Sequence, residues 1–269
     1  MLAVAKATYC KNRITNKRVY PLSFMLSRIF GGIIDVCFPA FIYYLLFKGH
    51  VSGNFAQYAG TSDYMTYVVL GQSSSIIAFA TLMNVGRCMI SEIREGTLDT
   101  FLLSPASRMG YFLGCYIEQL GRSVIEFSAV LIVGILLGAR LTFERILLTI
   151  LFILFLSLAC FAVSILISSV MVFTRDTYIT QNTFFQVMNF ICGVYFPTQF
   201  LPKWLQGVSE LLPLTPSLKM FRNCVLNGQG FMENLPLLIQ TILLSIIYIL
   251  IGYFWFRKSE KRLVEQVYA

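Results

Sequence analysis

Apolar residues run along this chain in six long, continuous blocks, at 22–47, 64–85, 111–137, 146–173, 178–196 and 237–256. Each is close to the roughly 20 residues that a helix needs to cross a bilayer. The apolar positions are consecutive rather than alternating, which predicts helices and not the strands of a barrel. The pattern therefore predicts an all-α integral membrane protein with six transmembrane helices. Between the fifth and sixth blocks, residues 197–236 hold five of the eight prolines mixed with Trp204, Leu205, Leu211 and Leu212. That mixture predicts short re-entrant or interfacial helices rather than an ordinary loop. The first block is interrupted by Arg28, Asp35 and Pro39, and the third carries Glu118, Arg122 and Glu126 in its first half.

Composition sharpens this picture. Hydrophobic residues make up 57% and charged residues 13% of the 269 positions, where a soluble domain carries about 25% charged. The net charge of +8 is spread along the flanks of the apolar blocks and forms no single patch, so nucleic acid is not an expected partner. Threading six spans puts 13 Lys and Arg on the side of the termini and 6 on the other, with Arg28 and Arg122 inside spans. That excess predicts both termini in the cytoplasm. It places the 86–110 segment and the Arg175-Asp176 turn there too, and 197–236 outside. The seven cysteines have neither metal-ligand nor disulfide-framework spacing, and His50 is the only histidine. Neither a zinc site nor a histidine-based triad is expected. No cleavable signal peptide is expected, because the first residues are polar and basic.

Three domains of behaviour follow. Residues 1–20 interleave Lys6, Lys11, Arg13, Lys17 and Arg18 with apolar positions, which fits an amphipathic interfacial segment touching membrane lipids, or a frayed basic tail. Residues 21–256 form the six-span domain, and 257–269 a basic cytoplasmic tail.

Three constellations are candidates for chemistry. In the 91–105 segment, Ser91 is placed to cap a helix with Glu92 and Glu95 in its first turns. Gly96 predicts a bend or a close backbone approach, and Pro105 a stop. Leu98, Phe101 and Leu102 share one face, so the segment either lies under the bilayer or enters a partner's cleft. Within the spans, Glu118, Arg122 and Glu126 lie along one helix face, as do Arg28 and Asp35 two turns apart on another. Such charges line a translocation path or gate, or pair to lock spans 1 and 3 together. In the fifth span, Phe184, Phe185, Met188, Asn189 and Phe190 are candidate path-lining residues or packing.

The string Glu92-x-x-Glu95-Gly96-Thr97-Leu98-Asp99-x-x-Leu102-x-Ser104-Pro105 resembles the cytoplasmic-loop motif of the ABC type-2 exporter permeases. The likeness continues at Tyr111-Phe112-Leu113-Gly114. It returns at Gly193-Val194-Tyr195-Phe196-Pro197, Leu201-Pro202-x-Trp204-Leu205 and Leu211-Leu212-Pro213-Leu214-Thr215-Pro216. The chain departs from the commonest pattern in having Ile93 where a charge is frequent.

The resemblance implies a coupling helix at Glu92, Glu95, Gly96, Thr97, Leu98, Asp99 and Pro105 that docks into a separate cytoplasmic ATP-binding subunit. It implies an outer gate at Tyr195, Phe196, Pro197, Pro202, Trp204, Pro213 and Pro216. It further implies a second permease subunit, the two forming a homodimer, in a bacterial inner membrane, exporting an amphipathic drug, antibiotic, or lipid- or glycan-linked compound. No cofactor is expected in this chain, because it contains no G-x-x-x-x-G-K-[ST] phosphate loop; ATP and Mg would sit on the partner. A stand-alone secondary transporter or channel, and a membrane-embedded lipid-modifying enzyme, are the alternatives.

Overall fold

The computed structural model describes residues 1–19, 22–45, 48, 53–59, 61, 63–141, 145–174 and 179–268. The described residues form helices α1 (Leu2–Val19), α2 (Leu22–Leu45), α3 (Gly53–Ala59), α4 (Tyr64–Arg94), α5 (Leu98–Leu103) and α6 (Arg108–Leu136). These are followed by α7 (Ile146–Thr174), α8 (Ile179–Ile191), α9 (Lys203–Leu211), α10 (Leu214–Asn227) and α11 (Leu235–Tyr268). A 3₁₀ turn at Thr198–Phe200 precedes α9, and no strand occurs among the described residues. His50 and the Arg175-Asp176 turn lie outside the described residues, as does the side chain of Asp99. The chain is an all-α, multi-pass integral membrane protein.

Five described helices are long and apolar enough to cross a membrane, namely α2, α4, α6, α7 and α11. The predicted fifth block is helical only as α8, whose 13 described residues span about 20 Å. A hydrocarbon core is about 30 Å thick. Both ends of the chain nevertheless lie on one side, since Lys11 of α1 reaches the end of α4 and Glu260 of α11 reaches the start of α6.

Helix α4 is the axis of the bundle, buried along almost its whole length, with α2, α6, α7, α8 and α10 packed around it. It can be central because its middle is small and polar: Gly71, Gln72, Ser73, Ser74, Ser75, Ala78, Ala80 and Thr81 are all buried. Small side chains let helices approach closely in lipid. The hydroxyls are satisfied on the helix's own carbonyls, as in Ser74 to Leu70 and Thr81 to Ile77, both 2.8 Å. Helix α7 is used the same way, and its Ser169 hydroxyl donates across to the Gly252 carbonyl of α11 at 2.7 Å.

The N-terminal segment is a helix packed onto α6, not a frayed tail. Gly110 and Gly114 of α6 make this possible. A Cβ at either position would lie 2.7 Å from the Met1 carbonyl oxygen or 2.6 Å from that of Ala5.

The most demanding feature is the break after α8. Gly193 adopts a left-handed φ of +82°, and the chain leaves helical geometry inside the bundle. Arg222 of α10 answers the freed carbonyls. Its guanidinium donates to Gly193 O at 2.6 Å, Val194 O at 2.9 Å and Tyr67 O at 3.2 Å, while lying 3.6 Å from the Tyr67 ring centroid. The Tyr67 hydroxyl also donates to Gly193 O at 3.1 Å. Counted from sequence among the charges of an outer loop, Arg222 is in fact buried inside the protein. Gly71 clears the space, because a Cβ there would stand 2.1 Å from Val194 O and 2.4 Å from an Arg222 nitrogen.

Arg222→Leu removes a donor from three buried carbonyls and leaves Val194 O without its side-chain donor, a loss of about 1–3 kcal/mol for an unsatisfied buried acceptor. We expect the loss of a monodisperse detergent-solubilised protein on size exclusion. Gly71→Val, which touches no charge, should do the same by collision. A Gly71→Val variant with unchanged thermal stability would refute the close approach.

Candidate functional site

The turn between α4 and α6 is built from a helix end. No proline intervenes between Val85 and Glu95, and the lone Gly86 is buried within the helix, so α4 continues through Arg94. Ser91 consequently does not cap a new helix, contrary to the sequence expectation; its hydroxyl donates back to the Arg87 carbonyl at 3.1 Å. The stop comes at Gly96, with φ +69°. The Thr97 N–H bonds to Glu92 O at 3.0 Å and the Gly96 N–H to Ile93 O at 3.2 Å. This is the double closure that a glycine in left-handed conformation permits. Nothing lies within 4 Å of a Cβ at Gly96, so its backbone angle and not crowding selects glycine.

Glu92 is buried, with 4% of its surface exposed, and is not displayed to a partner. Its carboxylate accepts from Lys11 of α1 at 2.5 Å, from the Tyr111 hydroxyl of α6 at 2.6 Å, and from the Thr97 hydroxyl in the turn. One side chain thus ties α1, α4, α6 and the turn together. Thr97, occupied in this way, gives α5 no side-chain cap. Helix α5 turns its predicted apolar face inward: Leu98 is buried and the Phe101 ring packs 4.8 Å from that of Tyr111. The opposite side, with Glu95, Gly96, Thr97, Thr100, Leu103 and Pro105, is exposed, Leu103 at 69%.

Arg108 holds the other end of α5. It donates to the carbonyls of Phe101 at 2.9 Å and Leu102 at 2.8 Å, and to Glu260 of α11 at 2.9 Å, with its guanidinium 4.6 Å from the Phe101 ring. Neither Arg108 nor Glu260 stood out in the sequence. The signal was an arginine three residues after the stop at Pro105, where a cation can serve helix-terminal carbonyls.

Deeper in the bundle, the intramembrane charges sort differently from their spacing. Arg28 meets Glu126 of α6 at 2.8 Å, joining α2 to α6. The contact is close but off hydrogen-bonding angles, so it acts through charge. Arg122 donates to Glu118 at 2.7 Å and to Gln119 at 3.0 Å on its own helix. Asp35 is not Arg28's partner. It is exposed and makes no ion pair among the described residues. Arg28, Asp35 and Glu126, though not Glu118 or Arg122, border a cavity of about 260 Å³ between α2, α4, α6 and α8, which Phe79, Phe185 and Asn189 also help to line. Of the path-lining candidates, Phe185 and Asn189 face it. Met188 lies instead in the main core, with Phe184 packed against that core.

The outer-gate candidates divide as well. Tyr195 borders the same cavity and stacks on Phe190 at 5.4 Å. Phe196 is half-buried and Pro197 buried; Pro197 lines a second pocket of about 170 Å³ with Gly193 and Arg222. Pro202 and Pro213 start α9 and α10, and Pro216 sits in the first turn of α10, where a missing N–H costs no helical bond. Trp204 is 70% exposed, in keeping with a ring at headgroup depth.

A family model described as ABC-2 type transporter matches residues 13–226. No curated protein matches the chain.

Removing the Glu92 carboxylate leaves Lys11, Thr97 and Tyr111 without their acceptor. Glu92→Ala should accelerate amide hydrogen exchange across 93–107 by about tenfold or more, whereas Lys11→Ala, which breaks a half-exposed pair worth about 1 kcal/mol at most, should change it little. Equal, small effects from both would deny Glu92 its place as the lock.

Proposed function

This chain belongs to the ABC-2 type transporter family and is the permease component of an ABC transporter, and from that premise we propose that it is half of an ATP-driven exporter of amphipathic compounds. Members of the family work with an ATP-binding subunit. The docking element here is the exposed side of the α4–α6 turn, from Glu95 to Pro105.

The observation that carries this reading is the construction of that turn. Its exposed surface is presented outward while Glu92 and Arg108 fasten it from within. It also forms the end of α4, whose 31 residues make a rod of about 46 Å touching most of the bundle. A push on the turn is therefore delivered to the bundle's axis. Glu92 and Arg108 act as positioning residues, and Glu95, Gly96, Thr97, Leu103 and Pro105 meet the partner.

In this reading both termini and the turn face the cytoplasm of a bacterial cell, as the Lys and Arg asymmetry supports. A second copy covers the outer face of α2, where Leu26, Phe30, Ile34, Phe38, Phe41 and Leu45 are exposed. That copy also keeps lipid from Asp35, since an unpaired charge in hydrocarbon costs several kcal/mol. ATP binding on the partner closes its subunits, drives the turns, and alternates access to the path between the two permeases.

The test is a pull-down of tagged protein from its native membrane in mild detergent, with mass spectrometry and an ATPase assay on the eluate. We expect a co-purifying protein with a phosphate loop, and ATPase activity that falls at least about tenfold when Gly96→Leu distorts the turn, because a side chain in left-handed geometry is strained. An eluate holding this chain alone, without ATPase, would overturn the reading in favour of a transporter acting unaided.

A further inference from the structure

We propose that the α2–α8 cavity binds the protonated amine of a cationic amphipath, with Asp35 as counter-ion and Asn189 as hydrogen-bond acceptor. The proposal rests on the reading of the chain as an exporter subunit and supplies the charge class of its cargo.

Charge bookkeeping around the cavity comes first. Glu118, Arg122, Glu126 and Arg28 form a chain of alternating sign. Arg122 is bonded to Glu118, Arg28 is paired with Glu126, and Arg122 also lies near enough to attract Glu126. These four cancel. Asp35 stands two helical turns beyond Arg28, about 10 Å along α2, and no ion pair among the described residues cancels it. It is exposed at the cavity's edge near the middle of a membrane-crossing helix. An intramembrane carboxylate without a partner is a functional site by default.

The second observation is independent of Asp35. Asn189 is 3% exposed and lines the cavity from α8, yet its Oδ1 has no hydrogen-bond partner among the described residues. A buried acceptor left unsatisfied costs about 1–3 kcal/mol, and a donor entering the cavity would relieve it. Asp35 and Asn189 thus ask for the same ligand group, a cation that donates hydrogen bonds. An ammonium meets both requirements. A carboxylate or phosphate meets neither.

The remaining walls suit the rest of such a molecule. Phe79 and Phe185 stand edge to face with centroids 4.8 Å apart, and Tyr195 closes one side. Aromatic faces attract cations and accept alkyl or aryl bodies. The volume of about 260 Å³ holds a head group with a short apolar body, and a longer tail would leave through the opening beside Asp35.

The experiment is equilibrium dialysis of the purified full chain in lipid nanodiscs against 4-phenylbutylamine, 4-phenylbutanol and 4-phenylbutyrate, with empty nanodiscs subtracting membrane partition. These probes share one body and differ in head charge. We expect saturable amine binding and at least about tenfold weaker binding of the other two, the worth of a charge-assisted hydrogen bond. Asp35→Asn should weaken the amine by a similar factor and leave the alcohol unchanged. Asn189→Leu should weaken the amine several-fold, and Asp35→Glu should retain it.

Equal affinity for amine and alcohol, preference for the carboxylate, or undiminished amine binding in both Asp35→Asn and Asn189→Leu would overturn the proposal. Should Asp35→Asn fail to assemble, the Asn189→Leu and Asp35→Glu results decide it. The assay needs no nucleotide and no partner. Amine binding by a chain that recruits no ATPase would therefore overturn the exporter reading alone. A chain that recruits the ATPase but does not distinguish the probes would overturn this inference alone.

Discussion

A bilayer offers no water to a free carbonyl, so every break in a membrane helix must be repaired by the protein itself. The break at Gly193 is repaired by the Arg222 guanidinium with the Tyr67 hydroxyl, and much of the architecture follows from that repair. Arg222 reaches Gly193, Val194 and Tyr67 only because α10 is folded back into the bundle and because Gly71 leaves the axial helix bare at that level. Folding α10 inward in turn brings Leu214, Leu218, Phe221 and Val225 into the main core. The same break ends α8 within the bundle, which puts Asn189 at a cavity instead of in a continuous helix–helix seam.

The same physics operates at the other end with a different sign. A buried charge is costly to strand, so a charged group surrounded by several donors or acceptors fixes the positions of all of them. Glu92 gathers α1, α6 and the turn, and Arg108 gathers α5 and α11. Between these two locks the exposed surface of the turn is held still, although α5 itself is only 6 residues long and too short to be stable alone. A rigid turn on the end of a rigid axial helix is what a force-transmitting contact requires. Within the membrane, the pairing of Arg28 with Glu126 joins α2 to α6, while Asp35 has no ion-pair partner among the described residues.

Much of this was legible in the residues. The apolar blocks, the helical class, the bend at Gly96 and the short helices among the prolines of 197–236 follow from local rules. Those rules are span length, the left-handed tolerance of glycine and the missing N–H of proline. Other features were not legible. Spacing put Arg28 with Asp35 on one helix, but a partner on another helix cannot be seen from spacing, and Arg28 chose Glu126. Glu92 looked like an exposed helix-start acid and is an interior lock. Met188 and Asn189 are adjacent and looked equivalent, yet one faces the core and the other the cavity.

The sequence by itself determined which segments must leave water, that they are helical, and the family to which the chain belongs, because each depends on residues near one another along the chain. Only the tertiary structure decided which charges cancel, which acceptor is stranded and which carbonyls Arg222 serves. These are encounters between groups as far apart in sequence as Tyr67 and Arg222. In a low-dielectric interior their energy depends on ångström-scale separation, which no local pattern records.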